Sequence, residues 1–313
     1  MNYLITGGCG FIGSHLCDAL IGLGHKVRVL DDLSTGVVDY LPLSAELVLG
    51  DVTDPAIVKG AMQDMDGCFH LAAVASVERS NSDWCGTHRI NQQGTVNVLD
   101  AARTCNESPV PVVYASSAAV YGDNATIPLD ERSTPRPISA YGADKYGSEL
   151  HARVAWLTHK VPTTGLRFFN VYGPRQNPAS PYSGVISIFI DRVLKGLPLK
   201  INGDGSQTRD FIYVADVVSH LIKAMTVNKG EASILNVCTG QSTSITQLAK
   251  TLSMVAGVEL NIQYQNARTG DISISLGDPQ KAHSKLKLSK RIELGEGLQF
   301  TLDSLKEQKL KAG

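Results

Sequence analysis

The six cysteines of this 313-residue chain form no CxxC pair, and its eight histidines include no HxxxH pair. That scatter argues against a zinc site or a disulfide scaffold, so no metal is expected, and free thiols in a reducing compartment fit it. An excess of either charge is also missing: 29 Lys and Arg stand against 30 Asp and Glu, for a net charge of −1. Without a basic stripe, neither a nucleic acid nor an anionic membrane surface is an expected partner, and any anion must be bound locally. No apolar run reaches the length of a membrane span, and the first strand-like run starts at Tyr3, too early for a leader, so a cytoplasmic protein is expected. Internal repeats and low-complexity tracts are lacking too. With 43% hydrophobic and 19% charged residues, the chain can bury a sizeable core in one or two domains.

What is present begins at Tyr3-Leu-Ile-Thr-Gly7, an apolar run that gives way to Gly7, Gly10 and Gly13 just before the helical spacing Ile12, Leu16, Leu20. Strand, glycine turn and helix in that order form a dinucleotide cradle. One glycine permits the sharp bend, one lets backbone N–H groups approach a pyrophosphate, one allows close helix–sheet packing, and the phosphates rest on the helix N-terminus. A second strand, Val27 to Leu30, ends in Asp31, whose carboxylate is placed for the adenosine ribose hydroxyls. No Lys or Arg lies between Asp32 and Gly36 to receive a 2′-phosphate, so the pattern predicts NAD rather than NADP.

Further along, Leu33 to Pro42 reads as a loop and Glu46 to Leu49 as a third strand. Asp51 then fits either the adenine edge or a helix N-cap. Strands are expected at Cys68 to Ala73, Val110 to Ser116 and Thr163 to Phe168, with long helices over Ser82 to Cys105 and Tyr141 to Thr158. The alternation implies an α/β fold built on a doubly wound parallel sheet. From Val171 the chain turns rich in Pro, Gly and Ser. A helix over Val185 to Leu194, a strand near Lys200, a return around Phe211 to Met225 and Ile234 to Val237, and helices over Thr246 to Val255 and Gly297 to Lys309 follow.

Tyr141 and Lys145 stand one helical turn apart. Among ten tyrosines that spacing alone carries little weight, but Ser116 and Ser117 end the fifth strand, where parallel α/β sheets place ligands. Glycine turn, strand-end serine and Tyr/Lys helix, in that order, resemble the extended short-chain dehydrogenase/reductase family along essentially the whole chain. Within it the sequence is most similar to the nucleotide-sugar 4-epimerases. The likeness rests on the glycine turn, His70-Leu-Ala-Ala73, Asn91-Gln-Gln-Gly-Thr95, Ser117-Ala-Ala-Val-Tyr-Gly122, Tyr141-x-x-x-Lys145, Leu166 through Gln176, Gly203-Asp-Gly205 and Arg209 through Asp216.

The resemblance implies a Rossmann-like domain (1–172, with a return over about 209–239) and a smaller C-terminal α/β substrate domain (173–208 and 240–313). It implies that Tyr141 is the base, that Lys145 holds Tyr141 and the nicotinamide ribose, and that Ser117 bonds the reacting sugar hydroxyl. NAD would be lined by Gly7, Gly10, Phe11, Ile12, Gly13, Asp31, Asp32, Asp51, Val52, Leu71, Ala72, Ala73 and Asn91. A UDP-sugar would meet Ala75, Ser76, Ser116, Ser117, Asn170, Gln176, Gly184, Val185, Arg209, Arg268, Asp271 and Ser275. Arg209 and Arg268 suit a diphosphate because each can make bidentate bonds.

Free tyrosine titrates near pH 10, so a base working near neutrality must be brought down to about 7, and Lys145 and the nicotinamide cation are the groups expected to do it. Relatives that dehydrate or decarboxylate usually carry an acid just after the serine; Ala118 and Ala119 stand there instead, which favours epimerisation. Ser275, small where relatives confined to hexoses have tyrosine, and Ala75 imply room for an N-acetyl group. UDP-glucuronate or UDP-pentose epimerisation remains open, as does a catalytically silent nucleotide-binding regulator, against which Ser117, Tyr141 and Lys145 together argue. The family often forms homodimers through helices 82–105 and 141–158.

Overall fold

Apolar runs alternating with helices can satisfy their backbone groups by pairing with one another in a covered sheet. In the computed structural model, which describes residues 1–178, 184–227, 230–267, 272–288 and 291–312, they do so. The first half contains β1 (Asn2–Thr6), α1 (Phe11–Gly22), β2 (Lys26–Asp31), β3 (Glu46–Leu49), α2 (Pro55–Met62) and β4 (Gly67–His70). Next come α3 (Val77–Ser82), α4 (Trp84–His88), α5 (Gly94–Thr104), β5 (Val112–Ser117), α6 (Ala140–His159), β6 (Thr163–Phe168) and β7 (Asn170–Tyr172). Beyond them lie α7 (Val185–Leu194), β8 (Leu199–Asn202), β9 (Thr208–Arg209), β10 (Phe211–Tyr213), α8 (Val214–Val227) and β11 (Ala232–Val237). The chain closes with β12 (Thr243–Ser244), α9 (Ile245–Ala256), β13 (Ile262–Gln265), β14 (Ile274–Ser275), α10 (Gln280–Leu286) and α11 (Leu294–Ala312).

Seven strands form one sheet in the order β11-β6-β5-β4-β1-β2-β3, every neighbouring pair parallel. The order reverses between β1 and β4, with Thr6 opposite Leu30 on one side and His70 on the other, and the crevice beyond that point is where such sheets bind ligands. Helices α1, α8 and α10 cover one face through Leu16, Leu20, Leu221 and Leu286, and α2, α5 and α6 cover the other through Val58, Met62, Val98 and Ala152. Each fully buried leucine contributes about 1.5–3 kcal/mol, so this doubly covered sheet is a stiff frame for its loops. A separate core joins α7, α9 and α11 to β8 and β10 around Phe189, Leu199, Leu248 and Leu302.

Several elements depart from the sequence expectation. The long helix over 82–105 is interrupted: Asp83 ends α3 by donating its N–H to Arg79, then its carboxylate accepts the Gly86 N–H at 3.0 Å and restarts the chain as α4. A π-turn over Arg89–Gln93 separates α4 from α5, inserting one extra residue per turn. The fourth strand stops at His70, and Asn170–Tyr172, where no strand was expected, form β7, paired with β10. Ala282 and Leu286 of α10, expected in the substrate domain, are buried with Leu221 and Leu235 of the large sheet's core. No helix among the described residues is long and apolar enough to cross a membrane.

Candidate functional site

The glycine turn folds as its sequence requires. Gly7 has φ +72°, and a Cβ there would lie 2.7 Å from the Ala72 amide nitrogen; at Gly13 a Cβ would lie 2.2 Å from the Gly7 carbonyl oxygen. Helix α1 begins at Gly10 with no side chain capping it, so its first N–H groups are left for an anion, while the Phe11 and Ile12 side chains pack beside the core of the second domain. Asp31 is buried; its Oδ2 accepts the Cys9 N–H at 2.9 Å and its Oδ1 the Leu33 N–H at 2.9 Å. Each oxygen retains lone pairs for a hydroxyl donor. Burial raises the Asp31 pKa, opposed by those two N–H bonds, and burial with Asp31 pushes the Cys9 thiol up to about 12, keeping the turn free of a thiolate. These residues fit NAD.

Other expected cofactor residues also make contacts within the protein frame. Asp32 is exposed and accepts the Ser34 N–H and hydroxyl. Asp51 does not cap α2: its Oδ1 accepts the Thr53 N–H at 2.8 Å, and Asp54 is the cap, accepting from Ala56 and Ile57. Val52 is buried in the core, and its carbonyl accepts the Asn97 amide at 3.1 Å. Asn91 sits in the π-turn, where its side chain accepts the Val74 N–H at 2.8 Å and donates to the Val74 carbonyl at 3.2 Å. Its amide therefore fixes the loop after β4. Leu71 and Ala72, followed by half-buried Ala73, are held to β1 by N–H bonds to the Thr6 carbonyl at 3.0 Å and hydroxyl at 3.2 Å.

Three elements bring the reactive side chains together. Helix α6 is capped by Ser139, and the Tyr141 N–H donates to the Ser80 hydroxyl of α3 at 3.1 Å. One turn on, Lys145 is buried and donates to the Ala115 carbonyl of β5 at 2.9 Å, with its ammonium 5.8 Å from the Tyr141 ring centroid. Two residues beyond Ala115, the Ser117 hydroxyl lies near enough to the Tyr141 phenol to favour its ionised form. Burial lowers Lys145 to about 8, with Asp144 opposing the shift. In the polypeptide alone, burial raises the Tyr141 pKa and the Ser117 hydroxyl opposes that shift.

Ser116 points elsewhere. Alternation along β5 turns its side chain away from Ser117, and its hydroxyl donates to Glu149 at 2.5 Å. Glu149 also receives Arg167 Nε at 2.8 Å and an Arg167 terminal nitrogen at 2.7 Å, a buried pair that ties α6 to β6. Sequence reasoning assigned no role to this pair, although a lone arginine within the otherwise apolar run Leu166-Arg167-Phe168 signals a buried partner. Nor did it assign a role to His70, fixed between the Thr6 and Thr95 hydroxyls at 2.7 and 3.1 Å and lowered to about 3 by burial and then Lys145.

Of the expected sugar-side residues, Ser76 caps α3 through the Arg79 N–H, and Ala75 is exposed beside it. Asn170 donates to the Asp210 carbonyl at 3.0 Å. Gln176 lies at the start of α7: a Cβ on Gly184 would sit 3.3 Å from its Nε2, its Oε1 is buried with no hydrogen-bond partner among the described residues, and Val185 follows as the first helical residue. Arg209 and Ser275 are direct neighbours across the β9–β14 pair, which places Ser275 in a short strand rather than a loop. Arg209 also donates to the Ile272 carbonyl at 2.7 Å. Arg268 and Asp271 lie outside the described residues.

The sequence profile of the NAD dependent epimerase/dehydratase family matches residues 3–238. A UDP-glucose 4-epimerase of Mycolicibacterium smegmatis is 34% identical over 97% of this chain and 98% of its own. A UDP-N-acetyl-alpha-D-glucosaminuronate decarboxylase of Bacillus cytotoxicus is also 34% identical, over 79% of this chain and 78% of its own, so overall identity does not separate the two reactions. Among solved structures, the UDP-glucose 4-epimerase of Thermotoga maritima with UDP-glucose superposes with a TM-score of 0.94 at 35% identity, covering 99% of this chain and 100% of that one. The UDP-N-acetylglucosamine 4-epimerase of Methanobrevibacter ruminantium M1, in complex with UDP-N-acetylmuramic acid, gives 0.93 at 35% identity with 98% of each chain covered.

Proposed function

The chain belongs to the NAD dependent epimerase/dehydratase family, and from that premise we propose that it is a UDP-sugar 4-epimerase that interconverts UDP-glucose with UDP-galactose and UDP-N-acetylglucosamine with its C4 epimer. One observation carries the choice of reaction. Ser117, Tyr141 and Lys145 converge, while the turn Ala118–Val120 that follows Ser117 offers no carboxyl to expel water or assist decarboxylation.

Gly7, Gly10 and Gly13 with the start of α1 would hold the NAD pyrophosphate, Asp31 the adenosine ribose, and Lys145 the nicotinamide ribose. When bound, NAD supplies reversible hydride acceptance and a positive charge beside the phenol. Tyr141 takes the proton of the C4 hydroxyl as that carbon is oxidised and returns it to the keto oxygen as the opposite face is reduced. Ser117 donates to the same oxygen and holds it within reach. Lys145, anchored on the Ala115 carbonyl, is a fixed cation that favours the phenolate once the site is loaded. Arg209, beside Ser275, is suited to the diphosphate, and the small Ser275 leaves space for an N-acetyl group.

We divide the molecule into an NAD-binding part, 1–172 with the return over 209–239 and helix α10, and a substrate part formed by the rest. We also read it as a cytoplasmic homodimer. Leu150, Val154 and Leu157 are exposed along one side of α6, as is Trp84 on α4, beside a groove of about 970 Å³ lined by His88, Arg89, Gln92 and His151. That apolar stripe supports pairing of these helices with a second copy.

Incubating the purified protein with UDP-glucose, UDP-N-acetylglucosamine, UDP-glucuronate and UDP-xylose, and resolving C4 epimers by NMR, tests the reaction and its range. Epimerisation of the first two is expected. Turnover of UDP-glucuronate alone would move the substrate to the uronates, and elimination products would replace the reaction class.

A further inference from the structure

Arg175 occupies the left-handed region, with φ +66°, a backbone conformation that favours glycine. A non-glycine residue persists there when its surroundings hold it, and those surroundings belong to the cofactor half. A terminal nitrogen of its guanidinium meets Asp18 of α1 at 2.7 Å, and the guanidinium lies 5.4 Å from the Tyr40 ring centroid, in the loop that follows Asp31. One turn before Asp18, His15 Nε2 donates to the Pro174 carbonyl at 2.9 Å, and burial, the largest influence on His15, lowers its pKa. Two side chains of the helix that caps the glycine turn thus grip Pro174 and Arg175, and the next residue is Gln176, whose side chain lies against the start of α7.

We propose that Arg175 is a positioning residue: its ion pair with Asp18 and stacking on Tyr40 latch residues 174–176 onto α1, so that the NAD-binding helix sets the placement of Gln176 in the nucleotide-sugar site. The inference rests on the reading of that face as the UDP-sugar site. It follows that the latch acts on nucleotide affinity and not on the chemistry at Tyr141, which hangs from α6, and that its effect is separable from folding. Glycine at 175 relieves the left-handed backbone while deleting the latch, so the two influences on stability oppose each other.

The test is calorimetric titration of UDP into the NAD-loaded enzyme, for wild type, Arg175→Gly, Asp18→Asn and the exchange Asp18→Arg with Arg175→Asp, the last using a residue that tolerates the left-handed region. Both single variants should raise the UDP Kd about 5–10-fold with Tm within about 3 °C of wild type. The exchange should recover most of the affinity. A Kd within twofold of wild type in both single variants, or a loss that follows Tm and is not rescued by the exchange, would overturn the latch while leaving the UDP-sugar reading intact. If the wild type itself bound no UDP, that reading would fall and the latch with it.

Discussion

On the proposed assignment, the cofactor half and the nucleotide-sugar half would solve recognition in opposite ways. The first presents backbone: a glycine turn pressed against Ala72, a helix start without a side-chain cap, and a buried Asp31 that braces the turn through Cys9 and Leu33, all carried on a seven-stranded sheet covered on both faces. The second presents side chains on short pieces, Gln176 near the start of a Pro-rich stretch and Arg209 and Ser275 on two-residue strands in the three-stranded sheet β12-β9-β14. A backbone cradle is contiguous in sequence and tolerates little change. A site of side chains gathered from distant segments can be retuned one residue at a time.

The largest expected break in this comparison lies where the halves meet. Tyr141→Phe should reduce kcat by at least about 100-fold while leaving NAD content and UDP affinity within twofold, since it removes a proton acceptor and almost no volume. Retention of more than about a tenth of kcat would mean that another group is the base. Lys145→Met separates function from stability. Because burial lowers the folded lysine from 10.5 to about 8, its charge opposes folding wherever it is protonated in both states. The variant should lose activity, yet NAD-free protein should gain about 3 kcal/mol in urea unfolding below pH 8. That gain should shrink as pH rises from about 8 to 10.5, where the folded lysine is neutral and the unfolded one still charged. A gain that is flat with pH would remove desolvation as its cause.

Within the cofactor half, Gly13→Ala places a Cβ 2.2 Å from the Gly7 carbonyl oxygen, where backbone on both sides must shift. A cost of about 2 kcal/mol and a matching loss of NAD retention on gel filtration are expected, and unaltered retention would show that the turn is softer than its packing implies. The smallest effect belongs to the other half. Ser275→Tyr should weaken UDP-N-acetylglucosamine about tenfold relative to UDP-glucose by crowding the C2 substituent, with little change in Tm. Equal losses for both sugars would place the gate elsewhere.

How far each half could be read in advance follows from the same contrast. The glycine turn, Asp31 at the end of β2 and the Tyr141/Lys145 turn of α6 are local patterns, legible because strand, turn and helix periodicities operate over a few residues. The interrupted helix at Asp83 was also written locally, as an aspartate that can cap Gly86, but the hydrophobic period across it concealed the break. Asn91 and Ser116 carried the right residue types in the right motifs; what their side chains hold, Val74 and Glu149, depends on neighbours far away in the chain.

By itself, then, the sequence determined most of the order of strands and helices, the parallel sheet they must build and the preference for NAD, because each is set by local geometry and composition. Tertiary structure alone decided that Arg209 stands beside Ser275, that α10 packs on the large sheet, that Arg175 reaches back to Asp18, and that burial works against ionisation of Tyr141. Those outcomes depend on which surfaces meet and how much water they exclude, and solvent exclusion is a property of the packed molecule that no short stretch of chain contains.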